Sequence, residues 1–117
     1  MMKKNIFVLV LVIFVLIVSI HVSSHPASKV TLSLDGIVLN VSVSHSVGNP
    51  EDHYINEILV FLNDKEIIKQ IFFIQTDNLQ KVSYTIPSLK TGDKIIVKTN
   101  CSKGGKRSGT ITVEPAS

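Results

Sequence analysis

The 117-residue chain reads as an all-β domain of about seven short antiparallel strands behind an N-terminal hydrophobic signal segment. Three observations predict this. The first 24 residues have the layout of an export signal. Beyond Lys29 the apolar residues alternate with polar ones, and outside the signal no segment sustains a helical apolar period. Turn-forming residues interrupt that alternation at frequent intervals.

In the signal, Lys3 and Lys4 supply a positive start, Ile6 to Ile20 is an almost unbroken apolar run, and Val22-Ser23-Ser24 offers small residues for a peptidase. The run is shorter than the about 20 residues a helix needs to cross a bilayer. Residues 1–24 are therefore expected to be a cleaved signal peptide; retention of 6–20 as an N-terminal membrane anchor is the alternative. Either way the domain is exported, to a periplasmic or extracellular location or to the outer face of the cytoplasmic membrane. Residues 25–117 remain, 93 in number, enough for one core and too few for two domains. They hold ten Lys and Arg against nine acids, so no nucleic-acid partner is indicated. The basic group Lys103, Lys106 and Arg107 has no interleaved aromatic residue and reads as a solvated loop.

The strands are expected near residues 29–34, 37–45, 55–62, 66–74, 81–86, 94–101 and 108–113. Asp35-Gly36 joins the first two in a tight turn and Asn63-Asp64 joins the third and fourth. Lys90-Thr91-Gly92-Asp93 and the glycine-containing stretch from Ser102 to Ser108 mark later turns. Seven strands in a domain of this length point to an immunoglobulin-like sandwich.

The reactive side chains fall at strand ends. Cys101 is the only cysteine of an exported chain, so it cannot form a disulfide within it, and burial or a metal would protect the thiol from oxidation. Taking side chains in alternation, Ile37, Leu39, Val41 and Val43 share a face that His45 continues. His53 shares the parity of Ile55, Leu59 and Phe61, and Cys101 that of Ile95 and Val97. If successive strands run up and down, the domain's start, the second connection and the sixth connection meet at one end. His25, His45, His53 and Cys101 then become neighbours. A lone histidine at a strand end is ordinarily a surface or capping residue, but several converging on one thiol form a donor set suited to iron, zinc or copper.

The segment His45-Ser-Val-Gly-Asn-Pro-Glu-Asp-His53-Tyr54-Ile55-Asn-Glu-Ile58, with the later Cys101-Ser-Lys-Gly-Gly, resembles the superoxide reductases, namely neelaredoxin and the iron-binding domain of desulfoferrodoxin. That family has a histidine, a short loop, then His-Tyr-Ile and a strand, and near its C-terminus a Cys-x-x-His. The resemblance implies an immunoglobulin-like fold and a non-haem ferrous iron (Fe2+) held by four equatorial histidines and an axial thiolate. It also implies reduction of superoxide to peroxide with electrons from a donor the sequence does not name. Carried over, His45 and His53 are equatorial ligands, Cys101 is the axial one, and His25 stands near the family's first histidine segment. The chain departs from the pattern at Gly104, where the family has its last histidine. It also departs in a loop two residues longer between His45 and His53, and at Asp52, where active members often carry a lysine.

Two other readings remain open: a non-catalytic immunoglobulin-like binding module, and a copper carrier. If cleavage follows Ser24, the α-amino group and imidazole of His25 would form a chelating pair favouring Cu(II). No Ser/His/Asp constellation or phosphate-cradling glycine loop is present, so hydrolase and nucleotide chemistry have no support.

Overall fold

A computed structural model describes residues 26–115; the expected signal segment and His25 lie outside the described residues. The described chain contains seven strands and no helix: β1 (Lys29–Asp35), β2 (Val38–Ser44), β3 (Ile55–Leu62), β4 (Lys65–Ile71), β5 (Leu79–Thr85), β6 (Lys94–Cys101) and β7 (Lys106–Thr112). They form two antiparallel sheets, one ordered β1-β2-β5 and the other β4-β3-β6-β7.

The two sheets share one core. Leu39, Val41 and Val43 of β2 meet Ile58 and Val60 of β3 and Ile95 and Val97 of β6, all almost without exposure. Each such side chain stabilises the fold by about 1.5–3 kcal/mol relative to exposure. The central strands β2, β3 and β6 supply most of it, as β-branched residues on a pleated surface do best where both neighbours are present. At one margin β1 and β7 approach so closely that a Cβ on Gly109 would lie 3.1 Å from both Val30 Cγ1 and the Val30 carbonyl oxygen. A side chain there would require Val30 to give by a few tenths of an ångström.

The turns follow their residues. Asn63 and Asp64 both adopt positive φ, 48° and 70°, which the two-residue turn between β3 and β4 requires. In the first hairpin Asp35 pairs with Val38, so the turn is Gly36-Ile37. Ile37 is consequently 42 % exposed and does not share the core face of β2.

The expected parity of β3 holds only for Ile55. Ile55 pairs with Cys101 and Glu57 with Asn100, leaving Asn56 as an extra residue in the strand. This bulge moves every later side chain to the opposite face, so Ile58 and Val60 enter the core where Leu59 and Phe61 were expected. Polar contacts fix it: the Asn100 amide donates to Asn56 Oδ1 at 3.1 Å, and Phe72 N donates to the Asn56 carbonyl at 2.9 Å.

The fourth strand ends at Ile71, short of the expected residue 74. From Phe72 the chain leaves one sheet to begin β5 in the other, and this crossing carries Gln75 into the interior, fully buried. Phe73 stays outside and is 80 % exposed.

Candidate metal centre

His45 follows the last residue of β2, His53 lies two residues before β3, and Cys101 ends β6. Antiparallel running brings all three to one end of the two-sheet fold, as alternation of strand direction requires. One potential ligand atom from each of the three lies within 4.8 Å of the others. His45 is 1 % and Cys101 2 % exposed, and His53 is half-buried.

Backbone bonds hold the segments that deliver these side chains. Ser102 N donates to the Tyr54 carbonyl at 2.8 Å and Tyr54 N donates to Ser102 Oγ at 3.1 Å, joining the residues next to His53 and Cys101. The loop before His53 turns on Asn49, whose carbonyl accepts from His53 N at 2.9 Å and whose side-chain oxygen accepts from Glu51 N at 3.1 Å. The β6–β7 loop closes on itself: Gly104 N donates to the Cys101 carbonyl, and Cys101 N to the Gly105 carbonyl.

Within the cluster His53 Nε2 is 2.9 Å from Cys101 Sγ, a hydrogen bond whose donor is S–H or N–H according to protonation. The His45 and His53 rings meet edge to face, with centroids 4.8 Å apart and planes at 86°. A metal bonded to imidazole at about 2.0–2.1 Å and to thiolate at about 2.3 Å holds the donors roughly 3.1 Å apart at a right angle and roughly 3.5 Å at a tetrahedral angle. The His53–Cys101 separation of 2.9 Å therefore lets both donors reach one ion with only a small adjustment. In residue type and in spacing the donor set fits a transition metal of borderline softness.

Two neighbours were not visible in the sequence. Gln75 lies against His45 with Oε1 2.9 Å from Nδ1, and its Nε2 donates to the His45 carbonyl at 2.6 Å. The signal for it was hidden, because residue 75 followed an apolar run that read as strand, and only the crossing between sheets buries it. The second is Lys103, which pairs with Asp52 at 3.3 Å across the rim. Both partners are about half exposed or more, so this pair contributes little to stability.

His25 lies outside the described residues, so its place in the expected cluster is not part of this geometry. Pro26, to which it is bonded, packs on the loop after Cys101: a Cβ on Gly105 would lie 2.8 Å from Pro26 N and 2.9 Å from its Cδ. Gly104, where the resemblance wants a histidine, has φ +96°, a conformation that side-chain-bearing residues rarely adopt.

No protein-family model matches the chain, and no curated protein matches its sequence. Among solved structures it is similar to the superoxide reductase (1Fe-SOR) from Giardia intestinalis, with a TM-score of 0.59 and 17% identity over 79% of this chain and 100% of that one. At that identity the likeness is one of fold: this chain shares the fold of a superoxide reductase and has a His/His/Cys cluster that could bind a metal.

Proposed function

We propose that the chain is an exported, superoxide-reductase-like iron-binding protein on an immunoglobulin-like sandwich. The observation that carries the reading is the convergence of His45, His53 and Cys101 within 4.8 Å, in a fold similar to that of a superoxide reductase. His45 and His53 would hold the iron as imidazole ligands and Cys101 as the thiolate. His25 is proposed as a further imidazole. Its support is covalent: it precedes Pro26, which contacts Gly105, and Gly105 accepts the backbone bond of Cys101.

When bound, iron in such a set supplies one-electron redox chemistry at a position the thiolate enriches in electron density. The chain's own part is to shield and orient. Buried Ile55 lies beside Cys101, and Thr99 and Val97 continue that face into the core, so the thiol side is dry. His53, half-buried, forms the more open side by which a small anion such as superoxide would enter. Electrons would come from a separate donor. The export signal expected in residues 1–24 would put this chemistry outside the cytoplasm.

Iron loading tests the reading. Protein produced in iron-rich medium and oxidised should contain close to one iron per chain and show a thiolate-to-ferric charge-transfer band. Cys101→Ala should abolish the band while leaving the far-ultraviolet circular dichroism intact. Protein that takes up no iron would exclude this function, and an iron-loaded protein inert to pulsed superoxide would reduce it to iron binding.

A further inference from the structure

We infer that Gln75 is a positioning residue that fixes the tautomer of His45, making Nε2 the metal-binding nitrogen. The inference rests on the metal reading above and deepens it. The orientation of the Gln75 amide is set by two backbone groups and not by the histidine ring. Its Nε2 lies 2.6 Å from the His45 carbonyl oxygen, a distance that only a donor can occupy without oxygen–oxygen repulsion. Its Oε1 lies 3.3 Å from the Ile55 amide, which can only donate. Both contacts demand the same orientation, so the amide cannot be flipped. Oε1 therefore faces His45 Nδ1 at 2.9 Å as an acceptor, and Nδ1 must carry the hydrogen. The neutral ring is left with its lone pair on Nε2, the one nitrogen that can bind a metal while this bond persists.

The site needs such a device. Gln75 and His45 are both buried, at 0 % and 1 % exposure, so water cannot reorganise around a ring in the wrong tautomer. Gln75 is itself anchored, since its backbone N donates to the Pro50 carbonyl at 3.2 Å. That carbonyl belongs to the loop that delivers His53, so one residue ties both histidine-bearing segments to the crossing between sheets. Because the acceptor is a neutral amide and not a carboxylate, it orients the ring without placing a negative charge beside a metal that already has one thiolate.

The test begins with the metal-free full-length protein carrying 15N-labelled histidine. Long-range 1H–15N correlation distinguishes a protonated Nδ1 from a protonated Nε2, and the spectrum of His45→Asn assigns the signals among the four histidines of the chain. The expected result is the Nδ1–H form for His45. Titration with Co2+, followed through thiolate charge-transfer absorption, then compares the chain with two variants. Gln75→Leu removes the acceptor, so the Nδ1–H form should be lost and Co2+ affinity should fall about 10–100-fold. Gln75→Glu keeps an acceptor for both Nδ1–H and Ile55 N–H and should preserve the tautomer; it loses the amide donor to the His45 carbonyl unless its carboxyl is protonated, so the tautomer and not the affinity is its readout. An Nε2–H form in the unsubstituted protein overturns the inference, as does a folded Gln75→Leu that binds Co2+ equally well. If Gln75→Leu does not fold, the tautomer of the unsubstituted protein and of Gln75→Glu decides. If the unsubstituted protein binds no Co2+, the metal reading has failed and the tautomer measurement still judges Gln75.

Discussion

Replacing the paired glycines of the β6–β7 loop by alanine, one at a time, separates backbone strain from steric contact at the edge of the candidate centre. Gly104 and Gly105 both have positive φ, +96° and +102°. A Cβ on Gly104 would meet nothing within 4 Å, whereas one on Gly105 would press into Pro26 at 2.8 and 2.9 Å. Gly104→Ala should thus cost strain alone, about 1–2 kcal/mol. Gly105→Ala should cost the same strain and, since the obstructing atoms are backbone and a rigid ring, about 1–3 kcal/mol of overpacking besides. For a domain of this size about 1 kcal/mol corresponds to roughly 4–8 °C in melting temperature, so Gly105→Ala should melt at least about 4 °C below Gly104→Ala. Thermal unfolding of the metal-free proteins by circular dichroism reads the difference directly. If Gly105→Ala is as stable as Gly104→Ala or more so, Pro26 is not seated on this loop. The start of the domain is then not held beside Cys101, and the covalent argument that brings His25 to the metal loses its footing.

Three further outcomes are expected. Ile58→Ala should lower the unfolding free energy by about 2–5 kcal/mol through the cavity it leaves, and Leu59→Ala by distinctly less; equal losses in urea denaturation would mean that the Asn56 bulge does not set the parity of β3. The Asp93 carboxyl is held below its usual value of 3.8, chiefly by the Asn63 amide at 2.9 Å and then by the Lys90 backbone N–H at 2.9 Å, with the Lys90 ammonium adding to them. A lowered folded value stabilises the protein above pH 3.8 and the gain is lost as pH falls through the folded value, so the stability gap between the protein and Asp93→Asn should be full at pH 6 and shrink below pH 3.8. A pH-independent gap in urea midpoints would refute that role. Burial raises the Tyr84 hydroxyl from 10.0 to about 12. Stability should then decline as pH rises from 10 towards 12, because only the unfolded chain ionises there, and Tyr84→Phe should lack this component of the alkaline loss; parallel alkaline profiles would refute it.

The fold was legible wherever local patterning is the cause. Alternation along residues 38–44 and 94–101 marked the two strands whose inward residues are now the core, and their parity carried correctly to His45 and Cys101. Asn63-Asp64 announced its turn because few residues accept two successive positive φ angles. Alternation misleads where a backbone irregularity interrupts the period. The Asn56 bulge has no compositional mark, and alternation counted through it assigns Leu59 and Phe61 to the wrong face. The same applies after Ile71, where Phe72 to Ile74 are apolar enough to continue a strand but belong to a crossing between sheets.

For the candidate site, the sequence by itself determined the types of donor and the end of the fold at which His45, His53 and Cys101 gather. Chain direction alternates from strand to strand, and that is a property of order along the chain. Only the tertiary structure decided the rest: that His53 Nε2 comes within 2.9 Å of the Cys101 sulfur, and that a glutamine 30 residues from His45 grips it by ring and carbonyl. Those contacts depend on the distance between sheets and on which residue a bulge or crossing turns inward. Neither quantity is written in any local stretch of sequence.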